Sequence, residues 1–174
     1  MMPATESDLM QFLASLGITV TMHRHAPVFT VEDARAHRGE IPGGHCKCLF
    51  VRDKKKRRLL AVVDEERRVD LDGLAAAAGM GRMSFSSADS LMDMLGVVPG
   101  SVTPFALINA RVAEGEEPPL LVVLDKAMMA HELLNYHPLH NAATVTIRRE
   151  DLVAFIRACG FEPMIVDLDT EITH

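Results

Sequence analysis

Two apolar runs, Cys46 to Arg52 and Leu59 to Asp64, are joined by Asp53-Lys54-Lys55-Lys56-Arg57. Two strand-length runs separated by a short polar tip read as a β-hairpin. The first run, Gly43 through Val51, otherwise reads as a buried strand, yet Lys47 sits in its middle. Ionised side chains are almost never fully buried unless they are paired. The cation is therefore expected to face a pocket and meet an anion there. The bland alternative is a long stem that carries its charge to the surface. Gly43 and Gly44, just before it, permit close backbone approach.

Around this hairpin the chain breaks into short elements. A first helix is capped by Thr5 or Ser7, carries Leu9, Met10, Phe12, Leu13 and Leu16 on one face, and ends at Gly17. Ile18 to Met22 reads as a strand. Thr30-Val31-Glu32-Asp33 has the pattern of a capping box and opens a second helix that stops before Gly39. Further helices are expected at Leu71 to Ala78, Ala88 to Leu95 and Glu150 to Ala158. Strands are expected at Phe105 to Asn109, Leu120 to Asp125, Glu132 to Tyr136, Thr144 to Ile147 and Pro163 to Val166. Strands without regular βαβ alternation argue for a mixed, curved sheet wrapped by helices, in a single α/β domain over 1–168 with a tail at 169–174.

A chain of 174 residues can build one domain with a proper core, and its 48% hydrophobic and 24% charged residues exclude wholesale disorder. The net charge of −6 is the wrong sign for a dedicated nucleic-acid binder, so any nucleic acid must be held by a local patch. No DNA partner is expected. Three cysteines cannot form a paired framework, and no apolar run approaches a membrane span. The reading is a cytoplasmic protein without a membrane partner. A monomer is expected, because neither a heptad nor a large apolar surface stripe appears.

Beyond Lys47, several stretches can carry chemistry. Gly96-Val97-Val98-Pro99-Gly100-Ser101 is a stiff loop after a helix, able to aim backbone N–H groups at a carbonyl, or else a simple turn. His137-Pro138-Leu139-His140-Asn141 clusters polar groups where a strand ends; they bind substrate and water, or merely satisfy a turn. The run Lys54 to Arg58 concentrates five cations in an acidic chain. It is a solvated tip or a phosphate-backbone contact, which Arg67, Arg68, Arg148 and Arg149 are candidates to extend. A zinc site drawn from His45, Cys46, Cys48, His131, His137 and His140 is disfavoured, since zinc sites show two recognisable ligand pairs. Nothing marks a base beside a cysteine nucleophile.

With these residues in view, the chain resembles the YbaK/ProX family of trans-editing aminoacyl-tRNA deacylases, nearest its ProXp-ala (PrdX-like) branch. The motifs are His25-Ala26-Pro27-Val28-Phe29-Thr30-Val31-Glu32, the run through Cys46-Lys47, Gly96 to Phe105, and His137 to Asn141. The resemblance spans about Leu9 to Pro163. It implies a YbaK/ProX-like fold, hydrolysis of the ester of mischarged tRNA(Pro), most often carrying alanine or cysteine, and no metal or organic cofactor. It assigns Lys47 as the essential residue, with His137 and Asn141 at the catalytic turn. Thr30, Cys48, Gly96, Gly100 and Ser101 are the expected substrate-binding residues. Lys54, Lys55, Lys56 and Arg57 are the expected tRNA contacts. The partners implied are the acceptor end of the tRNA and prolyl-tRNA synthetase.

This chain has Cys48 where the branch commonly has Asn, and a thiol hydrogen-bonds more weakly than an amide. Cys-, Ser- or Thr-charged tRNA is accordingly the alternative substrate. A non-catalytic tRNA- or synthetase-binding module is the alternative from another class. The chemistry suits a second sieve. One methylene is worth only ~1–3 kcal/mol in binding, so a synthetase for proline cannot exclude alanine by affinity alone. In the expected mechanism Lys47 holds the terminal phosphate or the ester end, and amides near Gly96 to Ser101 polarise the carbonyl. Water attacks without a covalent intermediate.

Overall fold

A computed structural model describes residues 2–27 and 41–168. The helix expected from Thr30, Thr30 itself as a substrate contact, and the 169–174 tail lie outside the described residues.

The chain opens with α1 (Glu6–Ser15), which begins where a reciprocal capping box forms. Thr5 Oγ1 accepts from the Asp8 amide at 3.2 Å, and Asp8 Oδ2 accepts from the Thr5 amide at 2.8 Å. Gly17, at φ +73°, turns the chain out of the helix, and the Ile18 amide returns to the Leu13 carbonyl at 3.0 Å. Ile18 is thereby consumed in closing α1, and the strand β1 runs Thr21–Arg24 rather than starting at Ile18.

The hairpin forms as expected, slightly longer: β2 is Gly44–Asp53 and β3 is Arg58–Asp64, antiparallel with Lys47 opposite Val63. Then follow α2 (Leu71–Ala78), β4 (Met83–Phe85), α3 (Ala88–Leu95), β5 (Leu121–Asp125), β6 (Leu133–Tyr136), β7 (Ala143–Arg148), α4 (Arg149–Ala158) and β8 (Met164–Val166). The strand expected at Phe105 to Asn109 is instead a 3₁₀ helix, Pro104–Ala110. Pro104 supplies a helical φ at its start, and the Thr103 side chain caps it by accepting from Phe105. Pro104 through Ile108 are all buried, and in a run buried on every side apolar periodicity cannot tell helix from strand.

The sheet is mixed, in the order β1-β7-β6-β2-β3-β5-β8, with β4 paired to β2 alone. Pairings β2–β6, β3–β5 and β5–β8 are parallel, and the rest antiparallel. Among the described residues no helix is long and apolar enough to cross a membrane.

The two ends of the sheet are covered differently. A main core of α1, α3, α4 and the 3₁₀ helix packs on one face from β1 to β5, with Phe105 stacking edge-on against both Tyr136 and Phe155. A smaller core closes the other face over β2, β3, β5 and the flanking β4 and β8, where Leu74 and Ala75 of α2 meet Val51, Leu59, Ala61, Val63 and Val123. Hence β3 is apolar and buried from Leu59 to Val63, as strands covered on both faces are. Over β1, β7 and β6 that second face carries polar side chains, and it holds the candidate site.

Candidate functional site

Strand alternation sets the face of each side chain. Leu134, Tyr136, Val145 and Ile147 point into the main core. Asn135, Thr144 and Thr146 therefore point away from it, as does His23, which stands opposite Thr144. The parallel register Gly44↔Leu134 and His45↔Asn135 places His45 and Lys47 on this same polar side. Two steps beyond that last pair, Lys47 on β2 corresponds to His137 just after β6. The β2–β6 pairing stops before it reaches them, so lysine and histidine flank the point where the two strands part. Lys47 is half-buried, and among the described residues no hydrogen bond or ion pair engages it. A lysine so placed, beside apolar packing and without a resident anion, is free to take one from a ligand.

His137 is held in a defined tautomer. Its Nδ1 lies 3.0 Å from the Ala143 carbonyl, which can only accept, so Nδ1 carries the proton. Nε2 is then left as an acceptor. Burial holds the ring's pKa below its ordinary 6.5, and neighbouring His25 and His140 push the same way. The ring is thus neutral at physiological pH and presents one lone pair, the state needed to hold or deprotonate water. His25 stands edge-on, its centroid 6.4 Å away, and is itself fixed between the Ala26 carbonyl and Thr144 Oγ1, each at 2.8 Å.

The turn after β6 is strained and clamped. Leu139 adopts φ +76°, a left-handed conformation that costs a side-chain-bearing residue energy. His140 Nε2 donates to Glu6 Oε1 at 2.7 Å, while its Nδ1 accepts from the Ala142 amide at 3.1 Å. Glu6 also receives Arg24 through two nitrogens, at 3.0 and 2.7 Å. The guanidinium and then the imidazole lower its carboxyl to about 2. One carboxylate at the start of α1 thus ties β1 to the turn that carries His137 and Asn141. Asn141 is half-buried within that turn.

A second network fixes the approach to Lys47, and no sequence pattern announced it. Asn135, buried, donates to the carbonyls of Pro42 and Gly44 at 3.0 and 3.1 Å. Its Oδ1 accepts from Thr146 Oγ1 at 2.6 Å, and His23 Nε2 reaches the same hydroxyl at 3.1 Å. The donated hydroxyl proton leaves His23 as the donor to Thr146. The turn these bonds hold needs its glycines. Gly43 has φ +102°, and a Cβ there would stand 2.7 Å from the Leu133 carbonyl oxygen, while one on Gly44 would stand 2.6 Å from the His131 ring.

Other expected residues lie elsewhere. Cys48 and Cys46 pack against the main core, on the face of β2 opposite Lys47. Burial pushes the Cys46 thiol up to about 12 and the Cys48 thiol well above its ordinary value. Neither is a thiolate at neutral pH, which removes the nucleophile reading and separates Cys48 from the lysine's side. Gly96 is the left-handed C-cap of α3, pressed beneath Asn109 and Pro3. It lines a cleft of about 750 Å³ with Met2, Pro3, Asn109 and Arg111, in which Lys47 has no part.

Val98-Pro99-Gly100-Ser101 is a tight turn, with Gly100 at φ +93° and the Ser101 amide bonded to the Val98 carbonyl at 3.0 Å. The Gly96 amide is likewise spent, on Met92. The expected carbonyl-polarising amides at these two positions are therefore engaged, and Val98 and Gly100 remain as exposed residues of the loop. At the hairpin tip Lys54, Lys55 and Lys56 are exposed, whereas Arg57 is bound to buried Asp53 at 2.8 Å. Arg67 does not extend the patch, being consumed by buried Asp125 at 2.7 Å; Arg149 is likewise engaged, by Glu150 at 3.1 Å. No group of three or more His, Cys, Asp or Glu among the described residues is arranged to hold a metal ion.

Known proteins resemble this chain in sequence and in fold. Residues 25–155 match the family model described as an aminoacyl-tRNA editing domain. The chain is 36% identical over 149 residues to the prolyl-tRNA editing protein ProX of Acetoanaerobium sticklandii, covering 85% of this chain and 88% of that protein. It is 32% identical over 168 residues to prolyl-tRNA synthetase associated domain-containing protein 1 of Mus musculus, covering 94% and 96%. A crystal structure described as a candidate trans-editing enzyme for prolyl-tRNA synthetase superposes with TM-score 0.67 at 20% identity, covering 95% and 97%. The mixed sheet, the single domain and the matched span together make this chain a member of the aminoacyl-tRNA editing domain family, the YbaK/ProX family.

Proposed function

We propose that this protein is a trans-editing deacylase that hydrolyses the ester of mischarged tRNA(Pro), with Ala-tRNA(Pro) as its main substrate. The observation that carries the reading is the pairing of a ligand-free lysine with a neutral, tautomer-fixed histidine where β2 and β6 part. Lys47 holds the phosphate or the ester end of the terminal nucleotide. His137 Nε2, or a hydroxyl of the terminal ribose, orients the attacking water. The water oxygen adds to the ester carbonyl carbon, and the carbonyl electron pair moves onto oxygen, where Lys47 or an exposed loop amide stabilises it. Collapse expels the ribose oxygen, which takes up a proton, and the amino acid departs as its carboxylate. The raised thiol pKa values leave no cysteine to form an acyl-enzyme. The name of the murine relative supports prolyl-tRNA synthetase as a working partner.

The deciding experiment is hydrolysis of Ala-, Pro-, Cys- and Ser-tRNA(Pro) by the wild type and by Lys47→Ala. The expected result is rapid release of alanine, with the variant slower by about 10²–10³-fold, the cost of removing one oxyanion-stabilising donor. Release of cysteine or serine alone keeps the chemistry and moves the substrate. Tight binding with no turnover of any ester overturns the enzyme reading in favour of a binding module.

A further inference from the structure

Phe85 is 61% exposed, and it is the only strongly exposed aromatic side chain among the described residues. It lies on β4, an edge strand bonded only to β2, three residues long. A phenyl ring left in water forgoes a large burial gain. Its surroundings are cationic. Arg82 immediately precedes β4, Arg52 stands opposite Ser84 on the adjoining strand, and the exposed Lys54, Lys55 and Lys56 follow just beyond the Asp53↔Met83 pair. Asp53, the acid inside this group, is buried and spent on Arg57 and the Gly81 amide. Arg52 and Ser84 project from the opposite face to Phe85, so positive charge wraps the edge of β4 rather than one side of it. An exposed ring rimmed by Lys and Arg on a strand is the combination that stacks bases while neutralising phosphates.

The register ties this ring to the candidate site. Val51 and Phe85 are direct partners, so they share a face, and Lys47 lies on that face four residues earlier along β2. At ~3.3 Å per residue and ~5 Å between strands the separation is about 14 Å. A short stretch of single-stranded RNA spans that distance. We infer that Phe85 is a base-stacking platform for the unpaired 3′ end of the RNA, its cationic rim taking the adjoining phosphates, while the aminoacylated terminus sits at Lys47. This rests on the deacylase reading and adds to it a subsite that selects single-stranded over paired ends. Because every base offers a π-face, the subsite is tolerant of sequence.

The chain has no Trp, so Phe85→Trp introduces a unique fluorophore at the proposed contact. The probes are two synthetic RNA hairpins of acceptor-stem sequence, one ending in an unpaired 3′ tail and one blunt. The tailed hairpin is expected to quench Phe85→Trp emission saturably, and the blunt hairpin to leave it unchanged. Phe85→Ala is expected to weaken binding of the tailed hairpin at least about tenfold, Phe85→Tyr to restore it, and neither to change binding of the blunt one. Thermal unfolding of each variant checks that the edge strand persists.

Tailed RNA that binds the wild type and Phe85→Ala within twofold of each other, without quenching Phe85→Trp, overturns the platform and leaves the deacylase standing. Equal quenching by both hairpins also overturns it, since the contact is then to duplex. No binding of either RNA to the wild type, with no turnover of charged tRNA, sinks both readings together. A ring buried instead by a protein appears as quenching by prolyl-tRNA synthetase and not by RNA, which likewise overturns the assignment.

Discussion

Asn135→Ala tests whether the Lys47 strand is held in place by a buried hydrogen-bond network or only by sheet pairing. The substitution removes three bonds: the two donated to Pro42 and Gly44, and the one accepted from Thr146. At about 1 kcal/mol net for each, the loss is about 3 kcal/mol. Two features keep it from being larger. Pro42 is exposed, so water can reach its carbonyl, and the Gly44 carbonyl retains a weak contact from the Cys46 thiol at 3.7 Å. For a domain of this size each kcal/mol moves Tm by roughly 2–4 °C, so a fall of about 6–12 °C is expected in thermal or urea unfolding. Thr146→Val removes two bonds, the one it donates to Asn135 and the one it accepts from His23, and is expected to cost about two-thirds as much. The double variant is expected to cost less than the sum of the two, because both share the Asn135–Thr146 bond. The catalytic readout is distinct: deacylation by folded Asn135→Ala at 25 °C loses kcat, since the Pro42–Gly44 turn leads directly into β2. A Tm within about 3 °C of wild type, with additive double-variant costs, would refute the network as a support for Lys47.

Three further outcomes follow from the same geometry. Glu6 titrates near 2 in the folded state against its ordinary 4.5, so its contribution is complete above about pH 4.5 and is lost as pH falls toward 2. Wild type and Glu6→Gln unfolding curves should therefore converge in acid, and a constant gap would refute the clamp. His137 binds its proton less readily when folded than at 6.5, so protonation opposes folding and stability drops as pH falls below 6.5. The acid limb of kcat/KM is expected below pH 6.5 and absent in His137→Asn; a limb above 6.5 contradicts the neutral-ring assignment. Alkylating reagents at pH 7 should leave activity unchanged, and Cys48→Ala should remain active; a dead Cys48→Ala beside an active Lys47→Ala would overturn the assignment of chemistry to the lysine.

The hairpin was legible because its signals are local: two apolar runs, a charged tip and a lysine out of place. Helices α1 and α3 were legible for the same reason, their N-caps being written into Thr5 and Ser87. The 3₁₀ helix at 104–110 was not, because full burial erases the period that distinguishes helix from strand. Nor was the three-residue β4, whose existence depends on pairing with Val51 to Asp53. The site was half legible for a related reason. Lys47 and His137 could be singled out one at a time, but Asn135, Thr146 and His23 look like ordinary strand residues. Only the register of four strands brings them together.

That register also explains why one strand can carry both a core and a site. On β2, Cys46, Cys48 and Phe50 face the main core, while Leu49 and Val51 face the smaller core beneath α2. Lys47 occupies the position where that second cover runs out and the polar face of β6 and β7 begins. A one-residue slip of β2 against β3 would exchange Lys47 with a cysteine, burying a cation in the main core and turning a thiol toward the polar face. The cost of an unpaired buried charge, several kcal/mol, makes such a slip untenable. The residue proposed to carry the chemistry is therefore also the one that fixes the register of its own strand. Lys47→Ala is therefore expected to have two separable effects: it slows deacylation by about 10²–10³-fold, and it relaxes the alignment of β2 on β3. Lys47→Arg keeps a cation and hence the register, but it replaces a compact ammonium with a wide planar fork. Amide exchange across Cys46 to Phe50 is expected to stay native-like in Lys47→Arg and to quicken in Lys47→Ala, with deacylation impaired in both. Equal protection in the two variants would show that the hairpin tip and β4 alone hold the register.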